Sequence, residues 1–163
     1  MNAETILQAK ASFQQAKGGI QHVLSTTPDE KLNWSPSPTA RTPLAQMFHA
    51  TGAIKNLHGM MMGINFAPPT TAEADKLFRE QEAIEMTRES VLSQFNEASS
   101  AYESFLDGLT PEQLSDMVQL PFKLGSAPLG IAITFPAMHT QWHHAQMEYI
   151  QTIYGDHDWH NGM

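Results

Sequence analysis

Apolar residues recur at intervals of three and four positions along most of the chain, which is the pattern of amphipathic helices. The first helix is predicted over residues 4–24, with apolar positions at Ile6, Ala9, Phe13, Ala16, Ile20 and Val23. A break at residues 25–41, rich in proline, serine and threonine, follows it. A second helix is then predicted to begin with Thr42 as its N-cap and Pro43 at its first position, and to run to about Met62.

The second half of the chain has a similar arrangement. A long third helix is predicted from Thr70 to about Leu109, and its stripe alternates spacings of three and four, as in near-parallel helix packing. Residues 117–125 alternate in polarity and predict a short extended segment, although Pro121 argues against a proper sheet. A last helix is predicted over residues 128–154. Four main helices with two long crossover connections predict an all-α four-helix bundle.

Composition narrows the class of protein. A chain of 163 residues with 41% hydrophobic content predicts one domain, over residues 1–155, followed by a tail at residues 156–163. A formal charge of -8 argues against partners such as nucleic acid and anionic membrane surfaces. No signal-peptide pattern or membrane-spanning run is found, so a cytoplasmic location is expected. The chain has no cysteine, so a metal site would need nitrogen or oxygen ligands.

Two histidines in the last helix are the first candidates for metal ligands. His139 and His143 are four residues apart, which places both imidazoles on one helix face. The helical angle predicts that this broad face also holds Trp142 and Gln146 and points into the bundle, while His144 points outward. Two core histidines without a metal remain an equal alternative at this stage. Pro136, inside the predicted helix, is expected to bend it.

A third ligand has to come from elsewhere in the chain. His49 lies on a face of the second helix that carries small residues, which would let another helix approach closely. His58 lies on the large apolar stripe of the same helix and competes with it. Periodicity alone leaves the choice open and slightly favours His49 as a surface residue. His157 and His160, in the tail, could bind metal adventitiously, although a polar tail is the simpler interpretation.

Three segments in this order resemble the DinB-like superfamily of four-helix-bundle metal proteins. They are the linker at residues 24–38, the segment at residues 43–50 that contains His49, and the motif His139-x-x-x-His143-x-x-Gln146. The resemblance covers nearly the whole chain and implies that His49, His139 and His143 bind one divalent ion. The family commonly has Arg-Gly before the glutamine, where this chain has His144-Ala145.

The resemblance also implies a function. Three imidazoles leave a coordination position open, which is typical of catalytic sites, and zinc or nickel suits them best, with iron or manganese as alternatives. Some relatives resemble transferases that use a low-molecular-weight thiol as cosubstrate. We therefore expect a small-molecule thiol transferase or hydrolase, with Gln146 and Trp142 beside the metal or in the pocket, and a homodimer. The alternatives are a metal-binding or stress-related module without turnover, and a plain bundle with structural histidines.

Overall fold

The computed structural model describes residues 2–65, 68–84 and 86–160. Six α-helices lie within these ranges: α1 (Ala3–Thr26), α2 (Pro43–Met61), α3 (Thr71–Glu82), α4 (Arg88–Asp107), α5 (Leu129–Ala132) and α6 (Phe135–Ile153). Two short strands, β1 (Met117–Gln119) and β2 (Ser126–Pro128), separate α4 from α5. Within the described ranges, no helix is long and apolar enough to cross a lipid bilayer.

The four long helices α1, α2, α4 and α6 form the bundle. α6 packs against α1 and α2, and α4 packs mainly against α2. Their buried faces supply one continuous apolar core, whose largest fully buried members include Phe13, Ile20, Leu44, Met47, Phe95, Tyr102 and Met147. The predicted all-α four-helix bundle is confirmed, and burial of these apolar faces is its main stabilising term.

Local sequence signals set several helix boundaries. The Thr42 hydroxyl accepts a hydrogen bond from the Ala45 amide at 3.2 Å, and Pro43 opens α2, as predicted. The crossovers contain two 3₁₀ turns, at Asp29–Lys31 and Pro111–Ser115. These turns follow directly after α1 and α4.

The prediction of one long third helix over residues 70–109 is wrong, because two helices, α3 and α4, occupy this segment. The Thr87 hydroxyl accepts a hydrogen bond from the Ser90 amide at 3.2 Å and caps α4, which starts a new helix there. Ile84, which the periodicity placed on the buried stripe, is 66% exposed. As a result α4 joins the bundle, whereas α3 lies against α2.

The expectation that Pro121 prevents a sheet is also wrong. β1 pairs antiparallel with β2, with Val118 opposite Ala127. Pro121 lies in the connection between the strands and therefore removes no hydrogen bond from the ladder. In the same connection Phe122 and Lys123 have φ values of 56° and 61°, in the left-handed region that residues with a Cβ rarely occupy.

The last predicted helix is divided as well. α5 ends at Ala132, and α6 begins at Phe135 with Pro136 in its first turn. A proline there lacks only an amide hydrogen that has no partner within the helix, so Pro136 begins α6 and does not bend its interior. The four-residue spacing of His139 and His143 consequently lies within one helix.

Candidate metal centre

Three histidines from two helices meet at one side of the bundle. α2 supplies His49, and α6 supplies His139 and His143. One ring nitrogen from each lies within 4.8 Å of the others, so the group could hold a metal ion. The ring centroids are 5.4 Å apart for His49 and His139, 4.9 Å for His49 and His143, and 4.6 Å for His139 and His143. The structure thus brings together the residues that the resemblance implied.

The competing candidate His58 lies elsewhere. Its ring packs 4.9 Å from the Phe105 ring and 6.1 Å from the Tyr102 ring, measured between centroids. Burial in this aromatic environment lowers the pKa of His58. Its part in the structure is to pack between α2 and α4, away from the three-histidine group.

The tail histidines are also separate from the group. The His160 Nε2 lies 2.9 Å from a carboxylate oxygen of Asp156, and the His160 carbonyl oxygen accepts a hydrogen bond from His22 Nε2 at 2.7 Å. These contacts hold the described part of the tail against α1. Among the described residues, the three-histidine group on α2 and α6 is where such side chains converge closely enough for one ion.

Two of the three imidazoles are held by polar side chains. The Nδ1 of His143 lies 2.6 Å from the Gln46 amide oxygen, and the Nδ1 of His49 lies 2.9 Å from the Glu82 carboxylate. Both acceptors assign the ring hydrogen to Nδ1, which leaves the Nε2 lone pair available. An acceptor behind each ring is the usual support of a metal-binding histidine, because it fixes the tautomer and the ring orientation.

The carboxylate of Glu82 is itself held by Arg41. The Arg41 Nε lies 2.9 Å and 2.8 Å from the two carboxylate oxygens. The Glu82 side chain is 6% exposed, so its charge needs this partner. Arg41, Glu82 and His49 therefore form a chain of charge-assisted hydrogen bonds that reaches from a loop to the candidate metal centre.

The environment keeps the α6 imidazoles neutral. Burial, followed by the effects of His49 and the Arg41 guanidinium, lowers the pKa of His139 to about 4. Burial, His139, His49 and Arg41 lower the pKa of His143 to about 3, against a smaller opposite effect of a hydrogen bond with Gln146. Neutral imidazole is the form that binds metal, so both side chains are ready ligands at neutral pH.

A buried ring nitrogen without a hydrogen-bond partner indicates whether a metal ion fits this group. The Nδ1 of His139 is buried and has no hydrogen-bond partner among the described residues. A buried, unpaired ring nitrogen is costly unless a ligand satisfies it. The three ring nitrogens lie within 4.8 Å of one another. Donors around one zinc ion lie roughly 3–4 Å apart, so small ring rotations would be enough to bring the three nitrogens to one ion. The residues present fit a divalent metal ion.

An apolar cavity of about 160 Å³ adjoins the group. Its walls include His49 and His139 and are otherwise mostly apolar: Ala53, Leu57, Met60, Phe78, Pro121 and Phe122. Phe78 meets the His49 ring edge-on, with centroids 5.0 Å apart. The cavity gives a small ligand a route to the imidazoles.

The structure corrects the predicted face of the last helix. The buried face of α6 is centred near Met147 and is rotated by about a quarter of a turn from the predicted face. Trp142, expected inside, is 55% exposed, although its ring lies 6.0 Å from the His139 ring. Gln146 is exposed and interacts with His143. Both histidines consequently lie at the edge of the core, and His139 lines the cavity together with His49.

His144 points away from the metal group, as predicted, but it does not point into solvent. Its ring lies over α1 at Gly19, where an added Cβ would come within 2.7 Å of the imidazole. Its Nε2 is 3.3 Å from a carboxylate oxygen of Glu148. The glycine that weakens α1 in isolation therefore makes room for α6.

Sequence reasoning missed three residues of the site: Gln46, Glu82 and Arg41. Gln46 precedes His49 by three residues and shares its helix face. A glutamine about one turn before a candidate ligand was therefore a usable signal. Arg41 reaches the site from the loop before α2, and Glu82 reaches it from α3. The prediction of one long third helix did not separate α3 from α4. Nothing in the local sequence distinguishes these two from ordinary surface charges.

The fold and this group of side chains define a class of protein: a helical bundle with a candidate three-histidine metal centre at its side. The sequence matches the family model of the DinB superfamily over residues 12–147, and the chain belongs to that superfamily. A solved structure, described as a conserved protein from Enterococcus faecalis, has a TM-score of 0.70 and 12% identity, over 90% of this chain and 95% of the other. This likeness concerns the fold. No curated protein matches the chain.

Proposed function

We propose that this protein binds a divalent metal ion through His49, His139 and His143 and is a metal-dependent enzyme that acts on a small molecule. The observation that carries the proposal is the convergence of three ring nitrogens within 4.8 Å, beside a cavity of about 160 Å³. Zinc or nickel is the proposed ion, with iron or manganese as alternatives, because imidazole suits all four and zinc and nickel best. When bound at an open position, such an ion supplies Lewis-acid activation of water, a thiol or a substrate oxygen.

The residues around the centre support this role in distinct ways. Gln46 and Glu82 orient His143 and His49, and burial keeps His139 and His143 neutral. The mostly apolar walls of the cavity beside His49 and His139 would bind an uncharged, apolar part of a substrate. A cavity of about 150 Å³ holds a ligand the size of benzene, so the proposed substrate group is of that size.

We further propose a transferase that uses a low-molecular-weight thiol as cosubstrate, or a hydrolase. The chain has no cysteine, so any sulfur nucleophile has to be supplied from outside. A homodimer and a cytoplasmic location remain predictions from the sequence and the resemblance.

A non-catalytic metal-binding module is the second candidate, and one observation favours it. Among the described residues, no carboxylate lines the cavity, and Glu82 is already engaged by Arg41 and His49. A general base would therefore have to come from the substrate, the solvent or an imidazole. This leaves binding without turnover as a direct alternative.

The test is an activity screen of untagged protein loaded with zinc or with nickel. Low-molecular-weight thiols with alkyl electrophiles test transfer, and aryl esters and amides test hydrolysis. We expect turnover that a chelator abolishes and that His139→Ala removes, whereas His58→Ala retains it as the matched control. Ala53→Leu, which places a larger side chain in the cavity, should impair turnover and leave metal binding intact. Fully loaded protein without turnover in either screen would favour the binding module.

A further inference from the structure

The helix α3 is attached to the bundle mainly by polar contacts. Only Ala74 of its residues is buried, and the structure describes all of them. Asp75, Arg79 and Glu82 lie on one face of the helix, at intervals of four and three residues. All three face the loop before α2, where Arg41 lies 3.8 Å from Asp75 and 2.8 Å from Glu82.

A further bond extends this attachment. Arg79 donates a hydrogen bond to the Thr39 carbonyl oxygen at 3.0 Å. A helix held by exposed or half-exposed polar groups, with little buried apolar surface, opens at a low free-energy cost compared with a core helix. The last turn of α3 is the exception, because the Glu82 side chain there is only 6% exposed.

That last turn contacts the candidate metal centre directly. Glu82 accepts the hydrogen bond from His49 Nδ1 at 2.9 Å, and Phe78, one turn earlier, forms a wall of the cavity and packs edge-on against the same ring. One short helix thus supplies both the carboxylate behind a ligand and the apolar surface in front of the centre.

We propose that Glu82 is a positioning residue for His49 and that it couples metal binding to the docking of α3. This inference rests on the proposed metal site. The carboxylate fixes the His49 ring with its Nε2 lone pair towards His139 and His143, and Arg41 fixes the carboxylate. A metal ion that holds His49 in this orientation then also holds Glu82 and Phe78 in place. Binding at the centre therefore stabilises the cavity wall that α3 supplies.

The first experiment measures the affinity for zinc by competition with a chromophoric chelator, so it needs no activity. Glu82→Ala should weaken binding by about 10- to 100-fold, the usual effect of losing an outer partner of a ligand. Glu82→Gln keeps an acceptor and should lose less. Glu80→Ala is the matched control, since Glu80 lies on the exposed side of α3 with Lys76 at 3.9 Å, and it should bind zinc like the wild type.

A double-mutant comparison separates positioning from general stability. If Glu82 acts through His49, Glu82→Ala should cost no further zinc affinity when His49 is already alanine. Equal losses in both backgrounds would overturn the positioning role. Wild-type affinity in Glu82→Ala would overturn this inference alone, whereas absence of zinc binding by the wild type would overturn the proposed function and this inference with it.

Hydrogen exchange tests the coupling to α3. Zinc should slow the exchange of the α3 amides, residues 71–82, in the wild type and in Glu80→Ala. In Glu82→Ala, zinc at a saturating concentration should slow it much less, because the link between the ligand and the helix is gone. Identical exchange of α3 with and without zinc in the wild type would refute the coupling.

Discussion

The amide of Gln46 gives the sharpest single perturbation of the centre, through Gln46→Leu. Gln46 is 7% exposed and His143 is 5% exposed, and the Gln46 oxygen lies 2.6 Å from His143 Nδ1. Leucine has a similar size and can fill the space, so packing changes little. The His143 N–H, however, loses its acceptor at a site that water does not reach.

The expected cost follows from that burial. An unsatisfied buried donor costs about 1–3 kcal/mol of the free energy of unfolding. Zinc affinity should also fall about 10- to 100-fold, because the ring loses the contact that fixes its tautomer and orientation. The two effects have one origin, so both should appear in the same variant.

The assays are urea denaturation of the chelator-treated protein, followed by circular dichroism, and chelator competition for zinc affinity. Gln15→Leu is the matched control, since Gln15 lies on the exposed face of α1 and the same substitution there should leave both quantities nearly unchanged. If Gln46→Leu were as stable as this control and bound zinc as well as the wild type, the reasoning about the bond to His143 would be refuted.

Three further predictions concern stability. The metal-free protein should be most stable above about pH 6.5 and should lose stability as the pH falls towards 4. The reason is that histidines of the unfolded chain are protonated near pH 6.5, whereas the folded protein has pKa values of about 4 for His139 and about 3 for His143. Urea midpoints at several pH values check this, and His143→Gln should make the stability less dependent on pH. Gly18→Ala should raise the free energy of unfolding by about 0.5–1 kcal/mol, because an added Cβ there meets nothing within 4 Å. Gly19→Ala should stabilise less or should destabilise, because its Cβ would come within 2.7 Å of the His144 imidazole. Thermal melts of the two variants give the comparison. Tyr102→Phe should lower the free energy of unfolding by about 1–2 kcal/mol, because the buried phenol donates a hydrogen bond to the Ile133 carbonyl oxygen at 2.5 Å. Chemical denaturation measures this loss, and an unchanged midpoint would contradict the contribution of that bond.

The bundle could be predicted from the sequence because its signals are local and repeated. Spacings of three and four residues identified the faces of α1 and α2, and the cap at Thr42 located a helix start. The boundary between α3 and α4 was missed, since apolar residues such as Ile84 continue the helical period although the chain leaves the bundle there. A helical period shows what could be buried, whereas burial itself depends on neighbours far away in sequence.

The candidate metal centre could likewise be predicted from the sequence only in part. The spacing of His139 and His143 is a local signal, and the resemblance to a family selected His49 over His58. The carboxylate of Glu82 reaches His49 from a helix 33 residues later, through a long-range contact that no local pattern encodes. The orientation of α6 was misjudged because small and polar residues, Thr140 among them, occupy its buried face.

Metal content is the measurement that tests the central claim most directly. Untagged protein, incubated with zinc or nickel and freed of excess ion by gel filtration, is analysed by inductively coupled plasma mass spectrometry. The account predicts one ion per chain in the wild type and in His58→Ala, and a large loss in His49→Ala, His139→Ala and His143→Ala. A wild type without bound ion, or three alanine variants that bind as much as the wild type, would contradict it.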